Sequence, residues 1–274
     1  MNDRNPQAHQ MGDVSMFENL ALQALAIWPQ EKGLFDRYGL SGPIRVLDVG
    51  CGTGEITRRL AERYPEARVT GIDVLDTSLQ IARHGAKALG ERVTFEHGDA
   101  FALGYADASL DLVVCRHVSQ SIPDFELALA EMTRCLKPGG WLHLLSEDYT
   151  MLKFPRRAGD PDPDRVWLDT AVTYLESTRC DGRIGRHSWS LMRALGYEDL
   201  AVDYAIVDTV RAPRPIFAGI LRAWRDGYSE VLSEASGRPL EWVRGNFDRF
   251  ARQIEDPAEY AVWHVPIASG RKPA

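Results

Sequence analysis

A glycine-rich turn that follows an acidic residue is the first feature of the chain that points to chemistry. The segment VLDVGCGTGE places Gly50, Gly52 and Gly54 after Asp48. Glycines allow a tight turn in which backbone N–H groups approach a ligand, and the helix that follows adds partial positive charge. The sixth position is Glu55, whereas dinucleotide sites have G-x-G-x-x-G. The turn therefore favours a ligand without a pyrophosphate, although a purely structural turn remains the alternative.

Two further acids follow predicted strands at the spacing expected of a nucleoside site. Asp73 ends the second strand about twenty residues after the turn, where an acid accepts hydrogen bonds from ribose hydroxyls. Asp99 follows the third strand in the segment HGDA and is suited to accept from an exocyclic amine of adenine. Together with the glycine turn, these acids indicate a nucleoside-containing ligand.

The candidates for catalysis follow the fourth and fifth predicted strands. Because histidine is the side-chain type suited to proton transfer at physiological pH, His117 is predicted either as a general base or as a group that orients the substrate, with a packed structural histidine as the alternative. Gln120 is predicted to contact the substrate or the cofactor. Glu147, at the end of the fifth strand, is predicted to orient the substrate or to interact with a cationic group of the ligand, unless it caps the next helix.

Strands and helices that alternate along the chain are predicted to position these residues. The predicted strands are 44–49, 68–73, 93–97, 110–115, 141–146, 200–207 and 260–268. Strands that alternate with amphipathic helices predict an α/β fold with a doubly wound, mostly parallel sheet, covered on both faces. Residues 1–14 are predicted to be disordered, and a helix from Ser15 is predicted to end before Pro29.

The chain is long enough for one domain with additions, and we expect residues 1–274 to form a single domain. We expect an N-terminal helical cap in residues 1–41 and a ligand-binding core in residues 42–150. Residues 151–274 should supply substrate-side helices and closing strands, with a helical lid at about 213–256. Aromatic residues of this last part should pack mainly in the core, some of them lining an apolar pocket, and Phe17 and Trp28 are candidates to close it.

Five segments, in order, make the chain similar to class I S-adenosylmethionine-dependent methyltransferases. They are VLDVGCGTG (46–54), GID (71–73), GDA (98–100), SLDLVVCRHV (109–118) and LKPGGWL (136–142). The resemblance implies a Rossmann-like, seven-stranded sheet of order 3-2-1-4-5-7-6 with an antiparallel last strand. It also implies an enzyme that uses S-adenosylmethionine to methylate an O, N or C nucleophile.

The same resemblance implies roles for individual residues. The glycine turn would hold the methionine part of the cofactor, Asp73 the ribose, and Asp99 with Ala100 the adenine. Asp48 would orient the turn and the methionine amine. The remaining members of the predicted cofactor-binding set are Cys51, Val74 and Arg116. Because no acid occurs at 115–121, where catechol-type members bind magnesium, we expect no metal ion.

Composition and net charge narrow the range of molecules that could accept the methyl group. The net charge of −7 argues against broad binding of a nucleic-acid backbone, and no apolar run is long enough for a membrane span. Four scattered cysteines and no secretory signal peptide predict a cytoplasmic protein. We therefore expect a small, partly apolar methyl acceptor, while the oligomeric state stays open. Non-methylating chemistry in the same pocket (a cyclase or an aminopropyl-type transfer) and methylation of a macromolecule are the alternatives.

Overall fold

A mixed sheet of eight strands lies at the centre of the computed structural model, which describes residues 4–273. The strands, in chain order, are β1 (Arg45–Val49), β2 (Arg68–Asp73), β3 (Val93–His97), β4 (Leu110–Arg116), β5 (Leu136–Leu145), β6 (Leu152–Lys153), β7 (Glu198–Asp208) and β8 (Val262–Arg271). The first five strands are parallel, in the order β3-β2-β1-β4-β5. Strand β8 is antiparallel to both β5 and β7.

The predicted strand order is confirmed, with one addition. If the two-residue β6 is left out, β7 becomes the sixth strand of the chain and β8 the seventh. The observed order is then 3-2-1-4-5-7-6. Trp263 of β8 pairs with Leu152 of β6 and also with Val207 of β7, so that β6 lies on the same edge of β8 as β5. The described part of the sheet therefore has eight strands rather than the expected seven.

Strand β5 begins five residues earlier than its predicted start at residue 141. Leu136 pairs with Leu110, and the pairing resumes at Trp141 with Leu112 after a shift of register. The intervening segment KPGG thus forms an irregularity within the strand rather than a turn before it.

Helices cover both faces of the sheet. They are α1 (Ala8–Met11), α2 (Val14–Glu31), α3 (Glu55–Arg63), α4 (Asp76–Gly85), α5 (Phe125–Cys135), α6 (Pro163–Trp167), α7 (Thr173–Ser177), α8 (Ile184–Ala194), α9 (Arg214–Ser236) and α10 (Leu240–Glu255). Successive residues of β1 point to opposite faces: Val46 packs in one apolar cluster and Leu47 in another. A third cluster lies among α2, α9, α10 and β8.

The N-terminal segment is ordered further than the sequence pattern predicts. The expectation of disorder over 1–14 is wrong for the described residues 4–14, and residues 1–3 lie outside them. The Gln7 side chain is buried: its Oε1 accepts from Tyr228 Oη at 2.9 Å and its Nε2 donates to the Gln120 carbonyl at 3.4 Å. Helix α2 also continues past Pro29, because proline removes only one N–H donor near the end of the helix.

Residues 151–274 contain the helices expected there, divided into several segments. Residues 163–177 run through α6, a π-helical turn at Leu168–Val172 and α7. Helices α9 and α10 are separated at 237–239, as predicted, and Gly237 ends α9 in the left-handed conformation. In the part of the chain that the structure describes, no helix is long and apolar enough to cross a membrane.

Candidate functional site

A cavity opens at the carboxyl ends of β1, β2, β4 and β5, where α/β sheets generally bind ligands. It encloses about 1320 Å³ of space free of protein atoms, part of it open to solvent. One side is formed by the glycine turn and the ends of β2 and β4. The other side, here named the aromatic half, is lined by Tyr149, Trp167, Tyr174, Trp224, Tyr228 and Phe247.

The glycine turn leaves no space for side chains. Gly50, Gly52 and Gly54 all have positive φ, between 51° and 76°. A Cβ atom on Gly52 would lie 2.6 Å from Leu20 Cδ1, and one on Gly50 would clash with the Val118 side chain. The turn therefore requires glycine for both its conformation and its close approach to the residues above it.

Asp73 holds this turn from below. Its Oδ2 accepts from the Gly52 N–H at 2.8 Å and its Oδ1 accepts from the Leu75 N–H at 2.9 Å. Burial raises the pKa of this carboxyl, and the backbone hydrogen bonds oppose that effect. Asp73 lines the cavity, and although each carboxylate oxygen already accepts one backbone hydrogen bond, each keeps a lone pair that can accept from a ligand.

Four residues of the predicted cofactor set lie behind the cavity wall rather than on it. Asp48 is buried and its Oδ2 accepts from Thr57 Oγ1 at 2.6 Å; burial raises its pKa to about 6. Cys51 is buried, which raises the pKa of its thiol. Gly54 precedes α3, and Asp99 Oδ1 accepts from the Phe101 N–H at 2.9 Å. Asp99 itself is not among the residues that line the cavity, whereas its neighbours Gly98 and Ala100 are, and the contact predicted for its side chain stays a prediction.

The other predicted cofactor residues do line the cavity: Gly50, Gly52, Asp73, Val74, Ala100 and Arg116. Arg116 belongs to a buried charged network. Its Nε donates to Glu31 Oε1 at 2.8 Å, and Nε2 of His143 lies 2.9 Å from the same oxygen. Burial opposes ionisation of Glu31, but the Arg116 charge and the His143 hydrogen bond outweigh it and lower the pKa. Nη2 of Arg116 is buried and has no partner among the described residues.

The three predicted catalytic residues meet at the boundary between the two halves. His117 Nδ1 lies 2.8 Å from Glu147 Oε1. Gln120 Nε2 donates to the His117 carbonyl at 2.7 Å, and its Oε1 accepts from the Glu147 N–H at 3.3 Å. His117 has a φ of 57°, so its backbone is held in a conformation that histidine rarely adopts. All three residues line the cavity.

The alternative role considered for Glu147, that of a helix cap, belongs to its neighbour. Asp148 accepts from the Thr150 N–H at 3.0 Å and begins the short helical turn that follows β5. Glu147 Oε2 and His117 Nε2 are buried without a hydrogen-bond partner among residues 4–273. Two unsatisfied polar atoms on one cavity wall indicate a place for a ligand group.

Sequence reasoning missed the contribution of the N-terminal segment. Gln7 and Asn19 line the cavity, whereas Phe17 and Trp28 do not. The position of Glu31 within the apolar pattern of α2 indicates that its carboxylate has a buried partner. No neighbouring sequence feature indicates that Gln7 is buried. Among the described residues, no group of three or more His, Cys, Asp or Glu side chains is arranged to hold a metal ion.

Comparisons with known proteins agree with this geometry. Residues 46–140 match the family model described as a methyltransferase domain. The chain is 30% identical to trans-aconitate 2-methyltransferase of Azoarcus sp. over 246 residues. The alignment covers 88% of this chain and 85% of that protein. It is 45% identical over 103 residues to demethylmenaquinone methyltransferase of Deinococcus radiodurans, covering 38% of this chain and only 43% of that protein.

Solved structures show the same fold. The [4+2]-cyclase SpnF has a TM-score of 0.57 at 25% identity, with 93% of this chain and 82% of SpnF covered. The Haemonchus contortus phosphoethanolamine N-methyltransferase 2, solved with S-adenosyl-L-methionine, has a TM-score of 0.63 at 17% identity, with 100% of this chain and 60% of that one covered. At this identity the second likeness concerns the fold alone.

Proposed function

Because the chain belongs to the class I S-adenosylmethionine-dependent methyltransferases, we propose that it methylates an O, N or C nucleophile of a small, partly apolar molecule. The family resemblance found in the sequence is thereby confirmed, and S-adenosylmethionine is the cofactor of that family. The observation that carries the proposal is a single cavity that has the glycine turn on one side, the aromatic half on the other and the pair His117–Glu147 at the boundary between them.

The glycine-turn side of the cavity fits the cofactor. Gly50 and Gly52 present bare backbone to the cavity, at positions where a Cβ atom would collide with Val118 or Leu20. Asn19 Oδ1 and Arg116 Nη2 are buried there without partners, an acceptor and a donor that suit the amine and carboxylate of a methionine group. Asp73 and Ala100 would contact the nucleoside, whereas Asp48, Cys51, Gly54 and Asp99 would support the wall from behind. When bound, the cofactor supplies an electrophilic methyl group.

His117 and Glu147 would act together as a base. An ionised carboxylate only accepts hydrogen bonds, so the Glu147 contact keeps the proton on Nδ1 of His117 and leaves a lone pair on Nε2. Nε2 would take the proton from the acceptor's nucleophilic atom as that atom attacks the methyl group. Gln120 would fix both residues, since it binds the backbone of each. Alignment of the nucleophile with the methyl group inside the cavity would supply much of the rate.

The test is a set of variants assayed by transfer of radiolabelled methyl groups. We expect His117→Ala to lower kcat by roughly 10²–10⁴-fold for an acceptor that must lose a proton, with a much smaller change in cofactor affinity. Glu147→Gln should also lower kcat. His187→Ala is the matched control, because His187 forms a similar pair with Asp181 at 2.6 Å on the surface. Full activity of His117→Ala would exclude it as the base.

Cyclase-type chemistry without methyl transfer is the second candidate, favoured by the likeness to SpnF at 25% identity. The two functions differ in cofactor consumption. A methyltransferase forms one demethylated cofactor per product, whereas a cyclase that only contains the cofactor forms none.

Methylation of a macromolecule is disfavoured by the net charge of −7. The four cysteines are buried and free, which supports the expectation of a reducing, cytoplasmic environment.

A further inference from the structure

The aromatic half differs from the rest of the cavity in its lack of positive charge. Among the cavity-lining residues that the structure describes, Arg116 is the sole lysine or arginine, and it lies on the cofactor side, paired with Glu31. The acids on the lining are Asp73 and Glu147. A carboxylate or phosphate in the aromatic half would therefore be desolvated next to Glu147 with no cation to balance it.

The few unpartnered polar atoms there suit neutral hydrogen bonding. His117 Nε2 is buried without a partner and can accept a proton from a hydroxyl. Trp167 Nε1, a donor only, is also buried without an acceptor, and Trp167 lines the cavity. These two groups, with Glu147 Oε2 as a second unpartnered acceptor beside His117, match one hydroxyl and one ether or carbonyl oxygen on an otherwise apolar body.

Resting on the proposed methyl transfer, we infer that the acceptor is an uncharged, flat, largely apolar molecule with one dissociable hydroxyl. The broad aromatic wall matches a ring system rather than a short chain, since flat rings pack on Trp167, Trp224 and Phe247 at little entropic cost. A cationic acceptor would also meet aromatic faces. It would, however, share the Glu147 carboxylate with His117 through the free oxygen Oε2, and would so weaken the contact of Oε1 that orients the base.

The test compares three two-ring probes that differ in charge: 2-naphthol, 6-hydroxy-2-naphthoate and a naphthylmethylamine. Binding to the protein loaded with S-adenosylhomocysteine is followed by quenching of tryptophan fluorescence, which does not depend on turnover. We expect 2-naphthol to bind at least about tenfold more tightly than the other two. Equal or tighter binding of the naphthoate or the amine, or no binding of any probe, would overturn the inference.

A charge introduced into the wall supplies the reciprocal test. Leu175 lines the cavity and is 3% exposed. Leu175→Lys should move the preference toward the naphthoate, whereas Leu175→Met, of similar length but uncharged, should keep that of the parent. If the lysine variant does not fold, the three-probe series on the parent still decides. Failure of S-adenosylmethionine to bind in calorimetry would instead refute the proposed function, so the two failures are distinguishable.

Discussion

Replacement of Glu31 by glutamine tests whether the buried network anchors the cofactor side of the cavity. Glu31 is completely buried at the end of α2, and the Arg116 side chain is 6% exposed on β4. The carboxylate oxygen Oε1 receives both the Arg116 Nε contact and the His143 contact, and Tyr38 Oη lies 2.6 Å from the other ring nitrogen of His143. Glu31→Gln keeps the shape but leaves the Arg116 charge buried without its counter-ion.

The magnitude follows from the burial. Removal of one partner of a buried ion pair typically costs about 3–5 kcal/mol, whereas an exposed pair contributes about 0–1 kcal/mol. For a chain near this size, each kcal/mol changes Tm by about 2–4 °C, so that the expected loss is roughly 6–20 °C. Because Arg116 lines the cavity, the affinity for S-adenosylhomocysteine should fall as well.

Calorimetric melting, with and without S-adenosylhomocysteine, measures both effects. Glu255→Gln is the matched control, since its contact with Arg222 joins two side chains that are each 41% exposed. We expect that control to change Tm by only a few degrees. The double variant Glu31→Gln/Arg116→Met removes both charges and should recover part of the loss. A Glu31→Gln variant that melts and binds like the parent would refute the reasoning.

Three further variants test the wall of the cofactor side. Gly50→Ala should lower cofactor affinity at least about tenfold, because a Cβ at positive φ meets Val118; Val118→Ala should restore part of it in calorimetric titration. Asp73→Asn should lower the free energy of unfolding and the free energy of cofactor binding by about 1–3 kcal/mol each, since one amide oxygen replaces two acceptors; an unchanged Tm would show that the turn keeps its conformation without Asp73. Burial raises the Asp48 pKa from 3.8 to about 6, so its ionised form disfavours the folded state above pH 6, an effect lost as pH falls toward 4. Asp48→Asn should therefore raise Tm at pH 8 but not at pH 4, and a gain at both would contradict burial as the cause.

The sequence predicted the sheet well because the chain order of local patterns determines a doubly wound fold. Strand β2 coincides with its predicted range, and the antiparallel β8 takes its expected place between β5 and β7. What local patterns lack is tertiary pairing. The segment KPGG resembles a turn, yet it stays within β5 because Leu136 finds Leu110 across the sheet. Likewise, Gln7 is held by Tyr228, a partner 221 residues away.

The sequence predicted which residues lie near the site more accurately than it predicted the contacts that their side chains make. Strand ends placed His117 and Glu147 on the same edge of the sheet, and the structure puts them in direct contact at 2.8 Å. Asp48 and Asp99 occupy the expected positions in the chain, but their side chains turn to Thr57 and the Phe101 N–H. Sequence position indicates which strand end a residue occupies, whereas the direction of its side chain depends on donors that only the folded chain supplies.

The segment 116–120 owes its geometry to elements on both sides of the cavity. Arg116 is tied to α2 through Glu31, and the Gln120 carbonyl receives the Gln7 side chain from the N-terminal segment. Between these ties, His117 is kept at positive φ by its N–H bond to the Leu145 carbonyl and by the Gln120 side chain on its own carbonyl. A strained residue persists only where its surroundings over-determine it. The N-terminal cap therefore helps to hold His117, the proposed base, in place, although none of its described residues, from Arg4 onward, hydrogen-bonds the imidazole ring.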